Sequence, residues 1–285
     1  MTLAEMYVQG ISTRKVKEIT EQLCGFEISA TQVSRATAQL DQILQEWRER
    51  PFGEISYHYL DAIYEKVREN GQIRDVAVLI ATGISVVGVR QVLGVSISTS
   101  EQEAHWKDFL KSLRERGLKG IQLIISDAHM GLGAARRAIF GSVPWQRCQF
   151  HLQQNAGAYV PRQSMRFEVA ADIRSIFNAP DRRMADSGLQ WMIAKYAKAA
   201  PRLAAWWEVE LPDGFAVFEY PLEHRRTLRT TNCLERLNKE IRRRTKVVGV
   251  FPNEMSCLRL VLALFMEQDE EWQIGKRFCS STIQD

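Results

Sequence analysis

Residues 55–68 read Ile-Ser-Tyr-His-Tyr-Leu-Asp-Ala-Ile-Tyr-Glu-Lys-Val-Arg. Aromatic and β-branched side chains dominate the run, which favours a pleated strand over a helix. One acid, Asp61, stands between Leu60 and Ala62, and the Tyr57-His58-Tyr59 lead into it is more polar than a buried strand ordinarily is. Asn70-Gly71 supplies a turn, because both residues tolerate positive φ. Arg74 to Thr82 and Val89 to Thr99 repeat the composition, with turn signals around Gly83 and Gly88. A three-strand meander is expected, set off from what precedes it by Arg50, Pro51, Phe52 and Gly53.

Beyond the meander the period changes. Ser100 with Glu103 makes a capping-box pattern for a helix through Arg116, with Trp106, Phe109, Leu110 and Leu113 on one face. Gly117 and Gly120 close it. Ile121 to Ser126 is short and nearly all apolar, as suits a strand buried on both faces. Asp127, Ala128 and His129 follow at once. Gly131, Leu132 and Gly133 then open another helix, and Trp145 to Phe150 reads as one more strand. The order β-β-β-α-β-α-β predicts an α/β fold with a mixed sheet. If its first strand neighbours its fourth, Asp61 and Asp127 meet at one rim.

From His151 to Arg229 the pattern is mainly helical, broken at Asn178 to Asp181 and at Leu211 to Gly214. Trp191, Tyr196, Trp206 and Trp207 concentrate there and predict a small core of its own. Thr230 to Asn253 then reads Thr-Thr-Asn-Cys-Leu-Glu-Arg-Leu-Asn-Lys-Glu-Ile-Arg-Arg-Arg-Thr-Lys-Val-Val-Gly-Val-Phe-Pro-Asn. This is a helix with Glu235 in its first turns, stopped by Gly249 and Pro252. Asn232 is placed to cap it and fix the angle of the carboxylate. Arg236, Lys239, Arg242, Arg243, Arg244 and Lys246 make the helix a candidate for phosphate contacts, although a solvated face of i,i+4 charge pairs reads the same way. Met255 to Glu267 is an apolar helix expected to pack across the sheet.

Residues 1–50 read as helix throughout. Ser12 or Thr13 caps a segment ending at Leu23, Gly25 breaks it, and Ser29 caps the next, with Val33, Ala36 and Leu40 on its apolar face. Two such helices fit a helix-turn-helix that would read bases through Thr31, Gln32, Ser34 and Arg35. A plain docking hairpin fits too, because six Lys or Arg stand against seven Asp or Glu in this segment.

At 285 residues, with 45% hydrophobic and 25% charged side chains, the chain is long enough for a substantial core. A net charge of +4 admits nucleic acid without demanding it, so the local clustering of charge carries more weight. The five cysteines are scattered and form no Cys-x-x-Cys pair, which indicates a reducing compartment. No apolar run reaches the ~18 residues of a membrane span and no signal peptide opens the chain, so a cytoplasmic protein is expected.

Three carboxylates, Asp61, Asp127 and Glu235, stand out. Brought together they would repel one another unless cations lay between them, and two divalent ions would relieve the repulsion and activate a nucleophile at a phosphodiester. Oxygen-only ligands suit magnesium or manganese. Each acid also has an ordinary reading: Asp61 satisfied by a neighbouring amide, Asp127 capping the helix near His129, and Glu235 paired with Arg236 or Lys239.

Four stretches carry a resemblance: Leu-Asp-Ala-Ile-Tyr-Glu-Lys-Val-Arg at 60–68, Ile-Ser-Asp-Ala-His-Met-Gly-Leu at 125–132, Trp-Gln-Arg-Cys-Gln-Phe-His at 145–151 and Thr-Thr-Asn-Cys-Leu-Glu-Arg-Leu-Asn-Lys-Glu-Ile-Arg-Arg-Arg-Thr at 230–245. In that order they resemble Mutator-type transposases of the bacterial insertion-sequence branch. The resemblance implies a ribonuclease H-like catalytic core whose Asp-Asp-Glu triad falls on Asp61, Asp127 and Glu235, with an α-helical insertion before the last acid. The implied organisation is a helix-turn-helix-like DNA-binding segment at 1–50, core at 54–151 and 230–285, and insertion at 152–229. The family's Cys-x-x-His element falls on Cys148 and His151. A structural or DNA-positioning role is expected for it, since no second pair completes a zinc site. His129 would orient a phosphate or a metal-bound water, or serve as an ordinary loop residue.

The implied activity is hydrolysis and strand transfer at insertion-sequence ends with two Mg²⁺ or Mn²⁺ ions. The implied partners are double-stranded DNA, as terminal inverted repeats and as target, and further copies of the chain. The implied location is the bacterial cytoplasm, at the nucleoid when DNA is bound, with no membrane. A nuclease without strand transfer and a truncated, DNA-binding regulator are the other readings. Family members usually carry a further N-terminal region ahead of the point where this chain begins; if that region is missing, weakened or lost terminal-repeat recognition is expected, with the catalytic core intact.

Overall fold

The computed structural model describes residues 30–275 and 277–279. Helix α1 (Ala30–Glu49) leads into strands β1 (Ile55–Glu69), β2 (Gln72–Ser85) and β3 (Arg90–Ser98). Helix α2 (Glu103–Glu115), β4 (Leu123–Ser126), α3 (Met130–Phe140) and β5 (Trp145–Arg147) follow. Five helices come next: α4 (Gln149–Ala156), α5 (Arg166–Phe177), α6 (Arg182–Tyr196), α7 (Pro201–Glu210) and α8 (Leu222–Leu228). Two long helices, α9 (Asn232–Val248) and α10 (Glu254–Ile274), complete the order.

The strands form one five-stranded sheet in the order β3-β2-β1-β4-β5. Neighbours β1, β2 and β3 pair antiparallel, while β1–β4 and β4–β5 pair parallel. Asn70 (φ 49°) and Gly71 (φ 80°) make the tight turn that an antiparallel hairpin allows. The parallel pairs need crossovers, which α2 and α3 supply.

Alternation along the strands decides which side chain meets which layer. Leu60, Leu79, Leu93 and Ile124 pack on Trp106, Leu110 and Leu113 of α2 and on Leu132 of α3. The other face sends Tyr59, Ile63, Val78, Ile80 and Ile125 into a core shared with Leu237 and Ile241 of α9 and Val261 and Phe265 of α10. With a period of two, Asp61 and Glu65 fall on this second face, toward α9. Each fully buried Leu, Ile or Phe contributes about 1.5–3 kcal/mol. Surface pairs such as Glu103–Lys107 contribute about 0–1 kcal/mol, so the two apolar layers hold the sheet.

The polar lead into Asp61 is buried with partners. Tyr57 is hydrogen-bonded to His224 Nδ1 at 2.8 Å, Tyr59 donates to the Thr227 carbonyl at 3.2 Å, and His58 Nδ1 donates to the Thr82 carbonyl at 3.2 Å. Two of these bonds clamp α8 to the central strand. A second polar clamp fixes β3, where the register with β2 slips past Leu93. The freed Val92 N–H donates to Asp269 Oδ1 of α10 at 2.6 Å, and Arg50 reaches Asp269 Oδ2 and the Val92 carbonyl at 2.8 and 2.7 Å.

Several expectations are corrected. The capping box does not form: α2 starts after Gln102 with no side-chain cap, and Ser100 faces His105 instead. The last strand stops at Arg147 rather than Phe150, because β4 ends at Ser126 and offers no further partner. The aromatic helices do not form a separate core, since Tyr196 and Trp207 belong to the same buried cluster as Tyr59 and Ile63. The helix-turn-helix reading of residues 1–50 lies largely outside the described residues. No described helix is long and apolar enough to cross a membrane.

Complete burial lowers the His58 pKa from 6.5 to about 4, against the opposing bond to Thr82. Below about pH 6.5 the unfolded chain takes up a proton that the folded chain refuses, so stability falls as pH drops from 6.5 to 4, by roughly 3 kcal/mol. His58→Asn keeps a donor near Nδ1 and should flatten that part of the urea-unfolding profile. Asp269→Ala leaves Arg50 and the Val92 N–H without their buried acceptor and should cost about 3–5 kcal/mol in the same measurement.

Candidate active site

The parallel pairing of β1 with β4 brings two acids to one rim. Asp61 continues β1 just past its last β4-paired residue, Tyr59, and Asp127 follows Ser126 at the end of β4. Asp61 Oδ1 accepts from the Ala62 N–H at 2.9 Å and Oδ2 accepts from Asn238 Nδ2 at 2.7 Å. Burial raises its pKa to about 6, opposed by these two bonds and by the charge of His151.

Helix α9 docks along β1 through one polar stripe. Residues 235, 238 and 245 recur on that stripe at helical spacing. Asn238 holds Asp61, and the Thr245 hydroxyl donates to Glu65 Oε1 at 3.0 Å. Leu234, Leu237 and Ile241 bury the adjoining stripe, which fixes the rotation of the helix and delivers Glu235 to the rim.

His151 lies between the other two acids. Its Nδ1 is 3.9 Å from Asp127 Oδ2 and its Nε2 is 3.9 Å from Glu235 Oε1. A hydrogen bond with Cys148 raises the His151 pKa to about 9 despite the opposing burial, with Asp127 and Asp61 adding to the rise. Burial acts to raise the Cys148 pKa, but bonds from His151 and Thr231 outweigh it and the thiol is lowered. The Thr231 N–H and hydroxyl both donate to Cys148 Sγ at 3.4 Å. Buried Arg147 bonds to Glu210 of α7 and places its Nε 3.9 Å from Asp127 Oδ1. His151 Nδ1, Glu235 Oε1 and Asn238 Oδ1 are buried without hydrogen-bond partners. Among the described residues the one group of three possible metal ligands whose donor atoms all lie within 4.8 Å of one another is Cys148, His151 and Glu235, with Asp127 and Asp61 around it.

Residues 1–275 match the family described as Transposase, Mutator family. The chain belongs to that family. It is 58% identical over 278 residues to the transposase for insertion sequence element IS406 of Burkholderia multivorans, covering 97% of this chain and 72% of that protein. It is 39% identical over 288 residues to the transposase for IS256 in transposon Tn4001 of Staphylococcus aureus, covering 97% and 71%. Identity to the transposase for IS1081 of Mycobacterium tuberculosis is 36% over 278 residues, covering 97% and 67%.

In this Mutator-family chain the ordinary readings of the acids fare differently. Asp61 does accept a neighbouring amide, yet it also takes Asn238. Asp127 binds the Ala128 N–H at 2.7 Å and does not cap α3, whose N-cap position is His129. Among the described residues Glu235 makes no ion pair with Arg236 or Lys239, and its cationic neighbour is His151. Asn232 is not a cap: it is the first residue of α9, after Thr231, whose hydroxyl is taken by Cys148. His129 is exposed and lies 3.7 Å from Glu101, an acid whose charge also reaches Asp61.

Arg236, Lys239, Arg242, Arg243 and Lys246 are exposed, while Arg243 and Arg244 both bond to Glu240. Arg35 falls on α1 at a position whose side chain lies outside the described set. Sequence reasoning passed over Asn238, Arg147 and Glu210. Asn238 was findable, standing three residues after Glu235 on the same helix face. Glu210 gave no signal, because its partner is 63 residues away.

Removing the polar stripe should loosen α9. Asn238→Ala deletes a bond to a charged acceptor and should destabilise by about 1.5–3 kcal/mol, and Thr245→Val by about 1 kcal/mol, both read from urea unfolding.

Proposed function

We propose that this chain is a DNA transposase of insertion-sequence ends whose metal-holding triad is Asp61, Asp127 and Glu235. The observation that carries the reading is the meeting of Asp127 and Glu235 on either side of His151, with Asp61 on the adjoining strand under the same helix. A ribonuclease H-like core is supported by the strand order, in which β2 alone runs against its four companions. On this reading residues 54–151 and 230–285 are the core, 152–229 is a helical insertion and 1–50 is a DNA-binding segment.

The residues suit Mg²⁺ or Mn²⁺. The donors are carboxylate oxygens, Glu235 Oε1 is buried without a partner, and burial raises the Asp61 carboxyl to about 6, a shift that a bound cation would oppose. Two such ions, when bound, would activate water and stabilise the leaving 3′ oxygen of a phosphodiester. Asn238 holds the Asp61 carboxylate at a fixed angle. Arg147, anchored by Glu210, and the positive ring of His151 restrain Asp127 and Glu235 against mutual repulsion. Exposed Arg236, Lys239, Arg242 and Lys246 meet the phosphate backbone, where charge positions the strand without reading sequence. Joining two element ends requires at least two copies of the chain on DNA.

Labelled DNA carrying element ends, incubated with Mg²⁺ or Mn²⁺, should be nicked and joined by the wild type. In Asp61→Ala, Asp127→Ala and Glu235→Ala, loss of several kcal/mol of transition-state stabilisation should lower the rate about a thousandfold or more. Nicking without joining would leave a nuclease, and wild-type DNA binding without metal-dependent nicking would overturn the enzyme reading.

A further inference from the structure

A cleft of about 780 Å³ opens beside the first turn of α9, bounded by α8, the end of α10 and residues 277–279. Arg90, Arg226, Arg236 and Arg277 line it against one acid, Glu223. Arg226, Arg236 and Arg277 are exposed, and none has a carboxylate partner among the described residues. Four cations gathered this closely repel one another and raise a local positive potential. That potential favours the entry of an anion.

The cleft also offers flat surfaces. The Arg90 guanidinium lies 3.9 Å from the Phe278 ring centroid and 5.4 Å from that of half-exposed Trp272, and its Nε is buried without a hydrogen-bond partner. This stack is pinned in place: the Phe278 N–H donates to the Gly88 carbonyl at 2.7 Å. A Cβ at Gly88, whose φ is +77°, would come within 2.4 Å of the Phe278 carbonyl oxygen, so glycine is needed there. Cationic walls with aromatic and guanidinium faces are the combination that grips an unpaired nucleic-acid strand, because bases stack while phosphates meet Arg. The volume lies within the range of a single ligand, roughly 300–1,000 Å³, and so has room for a short length of one strand.

We propose that this cleft is a single-stranded DNA subsite, holding unpaired nucleotides beside the cutting site. The inference rests on the reading of DNA as substrate. Its place follows from α9: Glu235 faces the acids and Arg236, about 100° further round the same turn, lines the cleft, so the two sites adjoin across the first turn of the helix.

The test is fluorescence anisotropy with two duplexes of one sequence, one blunt and one with a short single-stranded overhang. Wild type should bind the overhang duplex about tenfold more tightly. Arg226→Glu with Arg277→Glu, both at exposed positions, should abolish that preference while blunt binding changes far less. The slope of log K against log salt should fall by about 0.7 for each lost phosphate contact. Trp272→Ala should also abolish the preference and Trp272→Phe should keep it, which a purely electrostatic site would not require. Equal wild-type binding of the two duplexes would overturn the subsite. So would displacement of the overhang by inorganic phosphate as readily as by a dinucleotide, since that marks a plain anion site. An overhang preference without any cleavage would leave the subsite standing and remove the transposase reading; cleavage without the preference would do the reverse.

Discussion

Acidic side chains carried to one rim of a sheet repel one another, and much of this fold is arranged to supply them with counterparts. Asp61 is held by the Ala62 amide and Asn238, Asp127 sits near Arg147, and the His151 ring stands between Asp127 and Glu235. Each restraining group comes from an element that the sheet fixes. Parallel pairing puts β1 beside β4, β5 ends in Arg147 and feeds α4, and α9 lies on β1. Moving any one of these elements would leave an acid without its counterpart.

The same economy holds away from the rim. Polar groups enter the core only where strand geometry leaves a donor or acceptor to satisfy. The slip at Leu93 frees the Val92 N–H, and Asp269 takes it while Arg50 balances the charge. Tyr57 and Tyr59, pointing to the α9 face of β1, reach α8 through their hydroxyls. These bonds contribute modest net stability each, but they fix register and helix position, which apolar contact alone does not specify.

The strands were legible because composition and turns agree: β1, β2 and β3 each carry β-branched residues bounded by Asn, Gly or Ser. Asp61 and Asp127 were legible as acids inside apolar runs, and the four ordered motifs pointed to the family. What stayed hidden depends on distant partners. Ser100 and Glu103 form a capping pattern, yet the chain approaches α2 through Gln102. Asn232 looked like a cap until the Thr231 hydroxyl proved to be committed to Cys148. Trp206 and Trp207 suggested a separate core because sequence does not reveal that Trp207 turns inward toward the sheet cluster while Trp206 stacks on Tyr159.

The span between Asp61 and Asn238 has a temporal meaning. The two residues are 177 positions apart, and the Tyr57–His224 bond spans 167. At a translation rate of about 5–20 residues per second, β1 leaves the ribosome roughly 9–35 s before the helix that completes it. The β1–β2–β3 meander, whose contacts are local, is therefore the early-folding part of the chain. Throughout that interval the apolar α9 face of β1 lacks the helix that covers it in the folded chain, and such transiently exposed surface is prone to aggregate.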